Sequence, residues 1–287
     1  MLKALQVDLG LIPYAEAYAL QKRIVAARKL DAIEDVLLFC EHPHVITQGR
    51  NGKREHLLAS ENVLRQKGVE FFETSRGGDI TYHGPGQIVA YPILNLGAIR
   101  RDVGWYVRML EEAMIRATAE FEIVAEREEG KTGIWVKPGA QTEKRFHRAK
   151  SARWGGGLAP QADRFTGSEP EKQKSRLAPF EMTVSSGAAE KLGAIGVHIS
   201  RWVTSHGLAY NVSTDLRNFE LIVPCGIADR KATSLEKLLG RSVKPAEVKP
   251  KLAKHLGEVF GLQTREVGRH ELIERLELVE QSLTVSA

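Results

Sequence analysis

Cysteine is nearly missing from this chain, with Cys40 and Cys225 the only two in 287 residues. Two thiols cannot supply a disulfide framework, and their scarcity fits a reducing compartment. Aromatic residues make up only 7%. No apolar run approaches membrane-spanning length, and the start, Met1-Leu2-Lys3-Ala4-Leu5-Gln6-Val7-Asp8, lacks the basic then apolar order of a secretory signal. Secreted disulfide scaffolds and membrane spans are thereby set aside, and a cytoplasmic protein is expected.

What is there suits a globular enzyme. At 43% hydrophobic and 27% charged, the chain can bury one large core or two small ones. A net charge of +5 favours acidic partners, which include nucleic acid, a membrane surface or an acidic protein. The sign of the charge does not choose among them.

Periodicity organises the first half. After Pro13, the residues Tyr14, Ala17, Tyr18, Ile24, Val25 and Ala27 recur at helical spacing up to Leu30. Val36 to Cys40 reads as a buried strand, broken by Glu41-His42-Pro43-His44. Had that strand continued, Cys40, His42 and His44 would share one face, an arrangement that raises a metal site. Pro43 interrupts the pleat and no fourth ligand is near, so no metal is assigned and Cys40 is taken as a small core residue. Val69 to Glu73 reads as a strand, with Ile88 to Leu94 expected as its antiparallel partner. Asp102 is expected to cap a helix carrying Trp105, Leu110, Met114, Ala117 and Phe121, and Gly133 to Val136 is a further strand.

From about 139 to 187 the pattern dissolves into a basic, Gly- and Ser-rich segment with isolated aromatics Phe146, Trp154, Phe165 and Phe180. It is read as a surface insertion. Its Arg145, Arg148 and Arg153 also raise a nucleic-acid surface, but no stacking platform or binding fold accompanies them. Beyond it, 194–199, 202–212 and 221–224 read as strands, and from about 232 the chain turns helical, at 234–239 and 246–260. The order predicts an α+β fold, with a mixed or antiparallel sheet flanked by helices, in one catalytic domain spanning 1–287.

The most constrained stretch is Arg76-Gly77-Gly78-Asp79-Ile80-Thr81-Tyr82-His83-Gly84-Pro85-Gly86-Gln87. Its glycines and proline suit turns and close backbone approach to a ligand, and its side chains supply donors, acceptors and one imidazole. A polar connection between two strands would carry the same turn residues.

With the blocks Glu41-His42-Pro43, Lys191 to Gly196, Ser205 to Asn211 and Pro224-Cys225-Gly226-Ile227 in this order, the chain resembles the lipoyl(octanoyl) transferases of lipoate biosynthesis. That resemblance implies the biotin/lipoate ligase-like fold and an acyltransferase without a cofactor. It implies octanoyl-acyl carrier protein as donor, lipoyl domains and the glycine cleavage H protein as acceptors, and a monomer that binds neither nucleic acid nor membrane. It implies Cys225 and Lys191 as the catalytic pair. By motif correspondence it implies a substrate site made of Arg76, Gly77, Gly78, Asp79, Ile80, Thr81, Tyr82 and His83, then Ala194, Ile195 and Gly196, then Gly207, Leu208 and Ala209.

The chemistry is coherent. A free thiol is only a few per cent thiolate at neutral pH, so a nucleophilic Cys225 needs a neighbouring cation or base. Lys131 competes with Lys191 for that role but matches no catalytic position of the family. Three rival readings stand beside this one: an ATP-dependent lipoate or biotin ligase, an amidotransferase between carrier proteins, and a non-enzymatic RNA-binding module. The absence of a G-x-x-x-x-G-K-S/T loop decides little, because such ligases do not use one.

Overall fold

The computed structural model describes residues 2–137, 187–223 and 231–285. The expected insertion therefore lies outside the described residues apart from its last position, and so does Cys225. The first strand, β1 (Leu2–Leu11), alternates buried and exposed positions along Val7 to Leu9, so one side chain in two enters a core. It leads to α1 (Tyr14–Lys29), which begins just after Pro13 and buries Tyr14, Ala17, Leu20, Gln21, Ile24 and Ala27. The fully apolar run of β2 (Asp35–Glu41) is buried on both faces, as expected of a central strand.

Pro43 ends that strand, and the chain crosses to a second sheet. Here β3 (Val45–Gln48) lies between β4 (Glu70–Glu73), which it meets in parallel, and β5 (Ile80–His83), which it meets antiparallel. A short helix, α2 (Glu61–Gln66), links β3 to β4, with Ser60 accepting from the Val63 amide at its start. The Gly-rich stretch thus contains a strand of its own. The expected hairpin between residues 69–73 and 88–94 does not form. Instead β6 (Gln87–Ile93) joins the large sheet between β2 and the later strand Val203–Asn211, because all seven of its side chains are apolar enough, or paired well enough, to be buried on both faces.

After the short α3 (Leu96–Ile99) comes α4 (Val103–Ala119), where Asp102 caps the helix by accepting from the Trp105 amide at 2.8 Å. Then follow β7 (Ile134–Val136), β8 (Glu190–Ser200) and β9 (Val203–Asn211). The expected third strand at 221–224 does not form over its described residues, 221–223. Leu216–Leu221 forms a 3-10 turn, and Ile222 makes only an isolated bridge to Leu57. The remainder is α5 (Leu235–Leu239), α6 (Pro245–Phe260), β10 (Leu262–Glu266) and α7 (Arg269–Val285). No helix among the described residues is long and apolar enough to cross a membrane.

The large sheet runs β10-β1-β2-β6-β9-β8-β7, parallel over its first three strands and antiparallel beyond. Its two faces are covered separately. Buried residues of α4 and α6, including Tyr106, Leu110, Met114, Leu252 and Phe260, fill one side. Those of α1 and α7, including Ala17, Ile24, Leu272 and Leu276, fill the other. The architecture is α+β with a mixed sheet.

Candidate active site

The small sheet leans its Gly-rich loop across the middle of β8. Gly77 donates its amide to the Val197 carbonyl at 2.8 Å, and a Cβ at Gly196 would stand 2.9 Å from Arg76 Cδ and 3.1 Å from the Gly77 carbonyl. Only a residue without a side chain lets the loop lie this close. The crossing encloses a cavity of about 450 Å³.

Three separated blocks of sequence meet there. From the loop come Arg76, Gly78, Asp79, Ile80, Thr81 and His83. From β8 come Lys191, Ala194, Ile195 and Gly196, and from β9 come Gly207, Leu208 and Ala209. Two residues of the expected substrate set stand apart. Gly77 contributes its backbone to the crossing, and Tyr82 points to the opposite face of its strand. There the Tyr82 hydroxyl meets His44 Nδ1 at 2.6 Å and Asn218 Nδ2 at 3.0 Å. Strand alternation explains the separation, since Thr81 and His83 face one way and Tyr82 the other.

Beneath the cavity lies a layer of polar groups that joins the expected site residue His83 to Tyr14 and Tyr18 of the helix expected only to pack. Tyr14 stacks on His83 with ring centroids 6.1 Å apart, and Tyr18 stacks on His206 at 5.3 Å. His42 donates from Nδ1 to the Ile12 carbonyl and accepts from the Tyr91 hydroxyl, both at 2.7 Å. Cys40 Sγ lies 3.5 Å from His42 Nε2, while His44 turns to the Tyr82 hydroxyl, so the three side chains do not meet at one point. Burial holds all three imidazoles neutral. It lowers His42 to about 4, lowers His83 to about 3 with help from His42 and Arg76, and lowers His206 to about 3 with help from Arg76. Tyr14 at a helix start and His206 inside the Ser205 to Asn211 motif were legible as residues. Their convergence was not.

A run of hydrogen bonds ties the loop to the lysine strand. Arg76 donates from Nη2 to Thr47 Oγ1 at 3.0 Å and to its carbonyl at 2.6 Å. Thr47 Oγ1 lies 3.4 Å from His83 Nε2, and His83 Nδ1 donates to Gln87 Oε1 at 2.6 Å. Gln87 Nε2 donates to Asn211 Oδ1 at 2.9 Å, and Asn211 Nδ2 to the Thr233 carbonyl at 3.0 Å. Thr233 in turn donates its amide to the Lys191 carbonyl at 2.9 Å.

Lys191 sits where β8 meets β7. Its Nζ lies 4.8 Å from the centre of the buried Trp135 ring, and Lys131 Nζ lies 5.3 Å from the same ring. Both lysines line the cavity. Lys131 is ion-paired with Glu128 at 2.8 Å, and the backbone of Lys191 is bonded to that of Lys231 and Thr233. Cys225 lies outside the described residues, yet both flanks of its segment are fixed at the cavity rim. Val223 donates to the His56 carbonyl at 2.8 Å, and Lys191 donates to the Lys231 carbonyl at 2.9 Å. His56 also pairs with Asp79 at 2.5 Å. The other cysteine is no candidate nucleophile. Cys40 is fully buried, and desolvation pushes its thiol far above the usual range. Among the described residues no cluster of three His, Cys, Asp or Glu side chains is arranged to hold a metal ion.

Residues 13–257 match the family described as the lipoyl protein ligase A/B catalytic domain. An octanoyltransferase of Acidobacterium capsulatum is 42% identical over 268 residues, covering 90% of each chain. One of Caldicellulosiruptor saccharolyticus is 39% identical over 277 residues, covering 96% of each. In three dimensions the chain is similar to a bipartite lipoate protein ligase of Thermoplasma acidophilum, with TM-score 0.65, 14% identity and coverage of 98% and 93%. It is also similar to a lipoate-protein ligase A bound with ATP, at TM-score 0.63 and 14% identity over 97% and 94%. Those two likenesses bear on the fold alone.

Proposed function

The chain belongs to the lipoyl protein ligase A/B catalytic-domain family and transfers octanoyl groups, and from that premise we propose a double displacement carried by Cys225 with Lys191 beside it. The Cys225 thiolate attacks the carbonyl of an octanoyl thioester on acyl carrier protein, and the carrier thiolate leaves and is protonated. The amine of an acceptor lysine then attacks the enzyme thioester, loses one proton, and expels the Cys225 thiolate as the amide forms. The first exchange is nearly isoenergetic, and the second runs downhill to an amide without ATP. In this reading the whole chain acts as one catalytic domain, working in the cytoplasm as a monomer, with lipoyl domains and the glycine cleavage H protein as acceptors.

Lys191 has two tasks. At about 4 Å and an effective dielectric near 20, an ammonium stabilises a thiolate by roughly 4 kcal/mol. In the second half-reaction the same nitrogen relays the proton of the incoming amine. The three substrate blocks line a cavity whose apolar members include Ala194, Ile195, Leu208 and Ala209. Burying seven methylene and methyl groups of an octanoyl tail is worth about 5–6 kcal/mol at about 0.8 each.

The observation that carries this reading is the bonding of Lys191 to Lys231 and Thr233, just past Cys225, in the cavity that also gathers all three substrate blocks. An ATP-dependent ligase shares the fold but needs no thiol. Mixing the protein with an octanoyl thioester and no ATP should give an adduct one octanoyl group heavier, lost in Cys225→Ala. An adduct that persists in Cys225→Ala, or maps to Cys40, overturns the assignment.

A further inference from the structure

A second cavity, also about 450 Å³, opens behind the Gly-rich loop between α1 and the β8–β9 hairpin. The two cavities are successive sections of one strand face. Ala194 and Gly196 line the first and His198 and Ser200 line the second, all on the same side of β8 at alternate positions. The loop crossing at Arg76 and Gly77 divides them, so that Ser75 faces the second cavity and Arg76 the first.

Its wall is cationic and unneutralised. Lys22, Lys29 and Arg201 all line it, and no aspartate or glutamate does. Among the described residues none of these three is paired with a carboxylate. Elsewhere on the same chain comparable cations are paired, as Arg23 is with Glu280 and Arg28 with Asp35. The Lys29 ammonium is drawn inward to Ser200 Oγ at 2.9 Å. Burial, then the charges of Arg50 and Lys29, push His198 below its ordinary value.

Neutral donors complete the wall. Gln21 is 1% exposed, and its Oε1 accepts from the His206 amide at 2.9 Å, which fixes its Nε2 as a donor. That Nε2 is buried with no hydrogen-bond partner, as is His198 Nδ1. A buried donor left unmatched is costly, so its presence beside like charges calls for an acceptor-rich anion. The two-residue turn of the hairpin holds Arg201 at φ +51° and Trp202 at φ +64°, a conformation such side chains rarely adopt.

We propose that this second cavity is a binding site for a phosphate-bearing group, seated among Lys22, Lys29, Arg201 and the Gln21 amide. A phosphate monoester carries close to two negative charges and accepts from several directions at once, which matches three cations and unpartnered donors better than a carboxylate does. Because the Gly-rich loop forms the wall between the cavities, an occupant would brace Arg76 from behind. The phosphate has two sources: a free phosphate-bearing small molecule, or the phosphate of the thiol arm of a carrier protein. The second source rests on the donor named above, so the test reads binding and not transfer.

Binding of inorganic phosphate, phosphopantetheine and unphosphorylated pantetheine to the full chain is measured by calorimetry. Saturable binding of the two phosphate compounds is expected, with pantetheine at least tenfold weaker. Loss of a charged contact in Lys29→Gln or Arg201→Gln should each weaken phosphate binding by about tenfold or more. Lys22→Gln, on the exposed side of α1, repeats the test if Lys29→Gln fails to fold, and circular dichroism checks each variant. Equal affinity for both phosphate compounds identifies a free ligand, and tighter binding of phosphopantetheine identifies the carrier arm. Either supports the site. No saturable phosphate binding to the wild-type chain, or binding unchanged in the Lys29→Gln/Arg201→Gln double variant, overturns it.

Discussion

Lowering the pH should unfold this protein through its active-site imidazoles before its carboxylates matter. His42, His83 and His206 are 0%, 7% and 1% exposed, and their folded values lie at about 4, 3 and 3. An unfolded histidine titrates near 6.5. Because the folded values are depressed, the unfolded chain takes up protons first as pH falls. The penalty is absent at neutral pH, begins near 6.5 and grows until the folded values are reached. Each histidine then contributes about 1.4 kcal/mol per pH unit, so at pH 4.5 the three together remove about 8 kcal/mol. A typical domain has only about 5–15 kcal/mol to lose. The carboxylates held low by ion pairs, such as Glu112 with Arg127 and Arg116, lose their contribution only below about 4.5. The window from 6.5 to 4.5 is therefore diagnostic. Urea unfolding at half-unit intervals should show stability falling by up to about 4 kcal/mol per pH unit near pH 5. His206→Asn, which tolerates the φ of +57° at that position, should reduce this slope by about one proton. Stability that stays level from pH 7 to 5 would refute the reasoning, since it would mean that the imidazoles are already charged or exposed in the folded protein.

Gly207→Ala should cost about 1–3 kcal/mol and shift the β6–β9 pairing, because its Cβ would lie 2.1 Å from the Ala90 carbonyl oxygen; a thermal melt within about one degree of wild type would contradict this. Lys191→Arg should keep slow acylation by a small octanoyl thioester yet lose most transfer to an amine, since Arg holds its charge but cannot give up its proton; single-turnover rates for the two halves decide it. Asn211→Leu breaks the hydrogen-bond run between Gln87 and Thr233, so it should cost roughly 1–3 kcal/mol and slow both half-reactions through misplacement of Lys191. Rates unchanged in a folded Asn211→Leu would show that the run does not position the lysine.

Much of the fold was legible because its signals are local. A helix announces itself within a few turns: Pro13 and the spacing from Tyr14 mark α1, and Asp102 with the apolar residues after it marks α4. The buried runs of β2 and β9, and the strand pattern within β8, were readable for the same reason. The sequence alone determined these elements, the order of the motif blocks that carry the family, and the residue types the reaction calls for. Pairing across the chain was another matter. Nothing between Glu73 and Gln87 states that β4 pairs with β3 and that β6 leaves for the other sheet, since a strand's partner depends on which faces remain to be buried. The third expected strand failed likewise, Leu216–Leu221 being held as a turn with Ile222 bridged to Leu57. Tertiary structure decided that Tyr82 turns away from the cavity while His83 faces it, and that the expected packing residue Tyr14 lies against His83. It also decided that Lys22 and Lys29 of one helix meet Arg201 of a hairpin around the unpartnered Nε2 of Gln21. Chemical capacity belongs to single residues and can be read from a string; convergence of charges and unpaired donors is a property of distances, which only the folded chain possesses.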